Sequence, residues 1–93
     1  MSEETVEPAE LHTLVERVPV GWTEVGYAGR SWGLTRSDHA NGGTTTLYAE
    51  ELGGPSAVSA NVWHTSAGDV LRPCEMPAET VLAFLRGLSL IHI

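Results

Sequence analysis

The chain has 93 residues, with five arginines against twelve acidic residues and a net charge of −7. That length supports one domain with a compact core. The acidic balance opposes phosphate backbones and anionic bilayers alike, so neither a nucleic acid nor a membrane is expected as a partner.

No apolar run follows a basic segment at the N-terminus, and no stretch approaches the roughly twenty apolar residues of a membrane span. Neither a signal peptide nor a transmembrane helix is therefore expected. A single cysteine without a secretion signal fits a reducing compartment, so the cytoplasm is the expected location.

Residues 1–7 carry Glu3, Glu4 and Glu7 and are expected to form an acidic, frayed tail. Pro8 can open a helix running to about Arg17, because its fixed φ suits a first turn. Leu11, Leu14, Val15 and Val18 then recur at helical spacing and make one apolar stripe. Pro19 and Gly21 end it.

From Trp22 to Pro73 the period changes to two. Strands are expected at Trp22–Ala28 and Arg30–Ser37, with Gly29 in the turn between them. The run Asp38-His39-Ala40-Asn41-Gly42-Gly43 reads as a loop, since Asn-Gly and Gly-Gly favour positive φ. Further strands are expected at Thr44–Glu51 and Ala57–Thr65, then a short edge strand at Val70–Arg72 stopped by Pro73.

A second helix follows. Pro77 fits its first turn, Glu79 lies near the positive end of its dipole and Arg86 near the negative end, and Gly87 can close it. Ala78, Val81, Leu82 and Leu85 form its apolar face. The order predicts an α+β fold: an antiparallel meander of about five strands flanked by an N-terminal and a C-terminal helix, one domain over residues 8–87.

Residues 88–93, LSLIHI, hold the only two isoleucines of the chain and break a composition otherwise typical of GC-rich coding. They also match the translation of a transposon end used in preparing sequencing libraries. We read them as in-frame adapter sequence and exclude His92 from any site.

Alternation sorts the strand residues into two faces. Trp32, Leu34, Leu47, Ala49, Val58, Ala60 and Val62 form the expected core face. Thr46, Tyr48, Glu50, Ser59, Asn61 and Trp63 form a polar-aromatic face. Trp22 and Tyr27 fall on opposite faces, and alternation alone leaves open which is which. Interface cores favour aromatics among small polar groups, so Tyr48, Trp63, Asn61 and Ser59 are the expected binding residues. A cross-strand aromatic pair that merely shields the sheet is the competing reading.

Cys74 precedes the second helix by three residues, where the dipole favours a thiolate. The reading favoured over this is a small apolar plug between sheet and helix, the usual role of a buried cysteine with no base or resolving partner in sequence. His64, near the end of the fourth strand, is the candidate base toward it, against the favoured reading of a histidine at the polar end of a strand. His12, His39 and His64 lack the spacing of a metal site, and no cofactor motif is present, so neither a metal nor a cofactor is expected. Ser37-Asp38-His39 contains triad residue types but reads as turn chemistry. Glu50 and Glu51 point to opposite sides of one strand and make no acid–base pair.

Three segments, LYAEELGG at 47–54, VSANVW at 58–63 and RPCEMPAE at 72–79, resemble a family of small bacterial proteins that carry the label peptide methionine sulfoxide reductase. The likeness spans about Val18 to Gly87. It implies a thiol-dependent reductase with Cys74 as nucleophile and Trp63 or Trp32 as a wall for the sulfoxide methyl group. The Gly-Cys-Phe-Trp motif of the A-type enzymes is absent, as are the Cys-x-x-Cys pairs of the B-type.

The leading expectation is a small binding domain whose partner is a protein or a small molecule, with self-association through the polar-aromatic face. The alternative is a thiol-dependent reductase or redox-responsive protein that uses Cys74.

Overall fold

The computed structural model of the chain describes residues 6–73 and 76–90. Helix α1 (Pro8–Glu16) opens with Pro8 in its first turn and buries Leu11, Leu14 and Val15. Five strands follow: β1 (Gly21–Tyr27), β2 (Arg30–His39), β3 (Thr44–Glu51), β4 (Ala57–Thr65) and β5 (Gly68–Pro73). Helix α2 (Ala78–Gly87) and a two-residue strand β6 (Ser89–Leu90) complete the fold. The sheet order is β5-β4-β3-β2-β1-β6, with every pair antiparallel.

The α+β meander is therefore present, with six strands where about five are expected. The sixth comes from the segment read as adapter sequence: Ser89 and Leu90 pair with Gly26 and Val25, and Leu88 is buried. Other boundaries differ as well: β1 runs Gly21–Tyr27 where Trp22–Ala28 is expected, and β5 runs Gly68–Pro73 where Val70–Arg72 is expected, because Gly68 and Asp69 already pair with Thr65 and His64. Asp38 and His39 extend β2 instead of starting a loop, because they pair with Thr45 and Thr44 of β3, where the Asp38 carboxylate accepts from Thr45 across the sheet and from Arg36 along its own strand. Pro77 caps α2 in an extended conformation (ψ 148°), so the helix begins at Ala78.

Both helices lie on one face. Leu11, Leu14, Val15 and Val18 from the α1 segment join Val81, Phe84 and Leu85 of α2 over Val25, Trp32, Leu34, Leu47, Ala49, Val58, Ala60 and Val62. All seven residues expected on the core face are buried there. The guanidinium of Arg86 on α2 clasps Glu10 on α1 at 2.9 and 3.1 Å, which ties the helices at their solvent edge. Gly87 ends α2 under the Tyr27 ring; a Cβ there would stand 3.1 Å from Cε1, so glycine permits this approach.

The β1–β2 turn holds Ala28 at φ 55° and Gly29 at φ 78°, the two positive values of a type I′ turn. Alanine is poorly suited to the first position, since its Cβ crowds the following carbonyl in the left-handed region. Ala28→Asn is therefore expected to stabilise the protein by about 0.5–1 kcal/mol, read as a higher urea midpoint at unchanged m-value.

Candidate functional site

Antiparallel register places Trp22, Thr35, Tyr48 and Ser59 in one cross-strand row on the face away from the helices. The next row holds Ser37, Thr46, Asn61 and Arg72, and beyond it Trp63 pairs with Val70. On the other side of the Tyr48 row lie Glu24, Gly33, Glu50 and Ala57. The structure thus brings Tyr48, Trp63, Asn61 and Ser59 onto one surface and adds Trp22, Val70 and Arg72 to them.

Trp22 belongs to this open face because Val25, of opposite parity, is fully buried. Its indole lies over Gly33, where a Cβ would come within 2.8 Å of Nε1. Tyr27 takes the core side, against Phe84 and Trp32. Trp22, Tyr48, Trp63 and Val70 remain 60, 44, 45 and 39 % exposed, although they are among the larger apolar side chains of the protein. Monomeric proteins keep contiguous apolar patches small, and these four groups share one flat face.

Polar groups lie among these aromatics. The Arg72 guanidinium stacks over the Trp63 ring at 4.9 Å. The other arginines are committed: Arg17 to a backbone carbonyl, Arg30 to Glu51, Arg36 to Asp38 and Arg86 to Glu10. Among the described residues, Arg72 alone of the five meets an aromatic ring and no carboxylate. Beside it, the Asn61 carbonyl accepts from Thr46 Oγ1 at 2.9 Å, which leaves the Asn61 amide donors without a protein partner among the described residues.

His64 sits behind this face, at one end of the core side. Its Nδ1 is 2.9 Å from Asp69 Oδ1 and its Nε2 is 2.8 Å from Thr45 Oγ1. Asp69 Oδ2 lies 3.3 Å from His12 Nδ1, and Thr45 Oγ1 donates to Asp38 at 2.9 Å. Arg36 closes the network on Asp38 and on the Val15 and Val18 carbonyls. The side chains of this network, without Val15 and Val18, line a cavity of about 380 Å³ with Glu16 and Gly42.

A hydroxyl, an imidazole and a carboxylate in sequence have the spacing of a nucleophile relay. Thr45, however, is only 1 % exposed, and its hydroxyl is engaged by both Asp38 and His64. Attack on a substrate would need that oxygen exposed. No buried side-chain polar atom among the described residues lacks a partner, as in a satisfied structural network. None of Thr45, Asp69, His12 or Arg36 stands out in the sequence as a site residue. Position 36 continues the core alternation of Trp32 and Leu34, and an arginine at core parity is the one sequence signal of this network.

Cys74 lies outside the described residues, as do Glu75 and His92. Among the described residues no group of three or more His, Cys, Asp or Glu is arranged to hold a metal ion, and no helix is long and apolar enough to cross a membrane. A second cavity, about 470 Å³, lies between α2 and the β2–β4 side of the core, with Tyr27, Trp32 and Glu79 in its wall.

Three carboxylates are held below the usual range, Glu10 by the Arg86 guanidinium on the solvent side and two others closer to the core. The Arg36 guanidinium and then the Thr45 hydroxyl stabilise the Asp38 anion; for Glu51 the Arg30 guanidinium is the main cause, against the opposing effect of burial. A folded pKa below the unfolded one gives stability that is full above about pH 4 and is lost as pH falls through the folded value. Urea midpoints should therefore fall below about pH 4, and Asp38→Asn should flatten that fall while lowering stability at pH 7.

No protein-family model matches the chain, and neither a characterised protein nor a solved structure matches it at a significant level.

Proposed function

We propose that the protein is an interaction module that docks a protein partner through the open face of its sheet. The observation that carries this reading is the one-sided fold. Both helices cover the same face, so the other presents Trp22, Tyr48, Trp63 and Val70 to solvent with Arg72 and Asn61 among them. Aromatics and arginine are the residue types that dominate binding energy when a partner covers them.

A shielding role for the aromatics predicts something different. Shielding residues stabilise the monomer, and a covered interface does so only with its partner. Radical footprinting separates the two. In dilute purified protein Trp22 and Trp63 should label fast and Trp32, 6 % exposed, slowly. In extract of the cells that make the protein, at its native concentration, Trp22 and Trp63 should become protected. Equal labelling in both settings would overturn the module reading.

A further inference from the structure

The geometry points to a second copy of this chain as the partner, packed face to face about a two-fold axis that crosses Arg72 of each copy with Glu50 of the other. This rests on the module reading and gives it an occupant.

Charge comes first. Among the described residues the open face carries one cation, Arg72 on β5, and two anions, Glu24 on β1 and Glu50 on β3. A strongly acidic partner would meet the two glutamates, and a strongly basic one would waste Arg72. A surface carrying both signs at separated points is complementary to itself, as an isologous interface requires.

Position comes second. Arg72 and Glu50 are separated by two strand spacings and four residues along the strands, about 10 Å by 13 Å at ordinary sheet dimensions. The midpoint of that line is one strand and two residues from each, which is Ser59 in the observed register. A two-fold axis lying in the interface through Ser59, perpendicular to that line, superposes Arg72 on the partner's Glu50 twice over. The same axis passes about 3 Å from Tyr48, so the two tyrosines meet near the centre. It carries Trp63 to within about one strand spacing of the partner's Trp22. One operation thus pairs the charges and stacks the exposed aromatics at the middle and both ends.

Area comes third. Five strands and about eight residues of height give a flat footprint on the order of 600 Å². Side-chain relief raises this toward the ~800 Å² per partner of a standard interface. The small residues Ser59, Thr35, Thr46 and Gly33 leave the face flat enough for close approach. The Arg72 fork is already oriented by the Trp63 ring, so less side-chain freedom is lost on pairing.

Sedimentation velocity on the purified chain at 0.15 M salt, from about 5 to 500 µM, is the test, with footprinting of Trp22 and Trp63 at both ends of the range. A dimer that protects both indoles is expected. Arg72→Glu and Glu50→Arg should each weaken it at least tenfold, and the double variant should restore it to within about threefold. Mixing the two single variants should give a heterodimer tighter than either homodimer, since both crossed pairs then become attractive. Both positions are exposed and neither forms a hydrogen bond or ion pair among the described residues, so circular dichroism should confirm unchanged folding.

A monomer at all concentrations overturns the second copy; protection in cell extract would then still support the module with a different partner. A dimer with both indoles fully labelled assembles elsewhere and overturns the inference. Protection without recovery in the swap overturns the crossed pairing.

Discussion

Arg36→Leu is expected to cost about 3–5 kcal/mol, the range for breaking a buried charge network. Arg36 is 9 % exposed and lies on the core side of β2 beneath α1. Its Nη1 donates to the Val18 carbonyl at 2.8 Å and to the Val15 carbonyl at 3.1 Å, while Nε donates to Asp38 at 3.1 Å. The first two bonds satisfy carbonyls at the C-terminal end of α1, which has no basic residue in its last turn. Leucine fills much of the volume and supplies no donor, so the Val18 carbonyl loses its donor, the Val15 carbonyl keeps only the Val18 N–H at 3.0 Å, and Asp38 keeps only the Thr45 hydroxyl.

A domain of this size has about 5–14 kcal/mol to lose. The expected fall in Tm is therefore on the order of 15–25 °C by circular dichroism. Amide exchange should show residues 8–18 opening before the sheet does. Arg36→Lys should recover less than half of the loss, because an ammonium cannot bridge the carbonyls and Asp38 with one rigid fork. A loss under about 1 kcal/mol for Arg36→Leu would show that α1 is held by its apolar stripe alone.

That network also shows where sequence reasoning stops. Periodicity located both helices and five of the six strands, and strand parity sorted Trp32 to Val62 from Thr46 to Trp63, because a one-residue slip would have inverted every burial. Parity says which face a residue takes, but not what it meets there. Asp69 lies just outside the expected Val70–Arg72 strand, yet register sets it opposite His64. Thr45 read as a strand former, yet two ionisable side chains share its hydroxyl. Such partners lie 5 to 57 residues apart, and local pattern has no term for them.

The face of Trp22 was illegible for a related reason. The strand Gly21–Tyr27 offers one strongly apolar residue, Val25, between Glu24 and Gly26, so its contrast is weak. Contact with Gly33 on the neighbouring strand decides it. The expected aromatic surface gains its third member only through tertiary structure, and the Arg72–Trp63 stack needs the β4–β5 register as well.

Phe84→Ala is the second large effect, and it bears on the open face from behind. Phe84 is 1 % exposed and forms a trio with Tyr27 and Trp32, at ring centroid distances of 5.0 and 5.2 Å and edge-on angles of 67° and 63°. Truncation of a buried phenylalanine costs about 3–5 kcal/mol, from lost transfer energy and the cavity that remains. Part of that is specific to the rings, about 0.5–1.5 kcal/mol for each edge-to-face pair. Phe84→Leu should therefore cost less, about 1–2 kcal/mol, since it keeps apolar volume and loses only the ring contacts.

The trio joins α2 to the β1–β2 hairpin, and Trp32 Nε1 fastens it further by donating to the Tyr27 carbonyl at 3.2 Å. Residues of the same two strands alternate outward as Trp22 and Gly33. Loosening the hairpin should thus raise labelling of Trp22 along with Trp32, by way of unfolding. Tyr48→Ser should do the reverse: stability of the monomer changes by less than about 1 kcal/mol, because nearly half of that side chain is in water already, while association is lost. If Tyr48→Ser instead destabilised the monomer as much as Phe84→Ala, the outer aromatics would belong to the fold. One strand set then would not be serving two surfaces, stability behind and recognition in front.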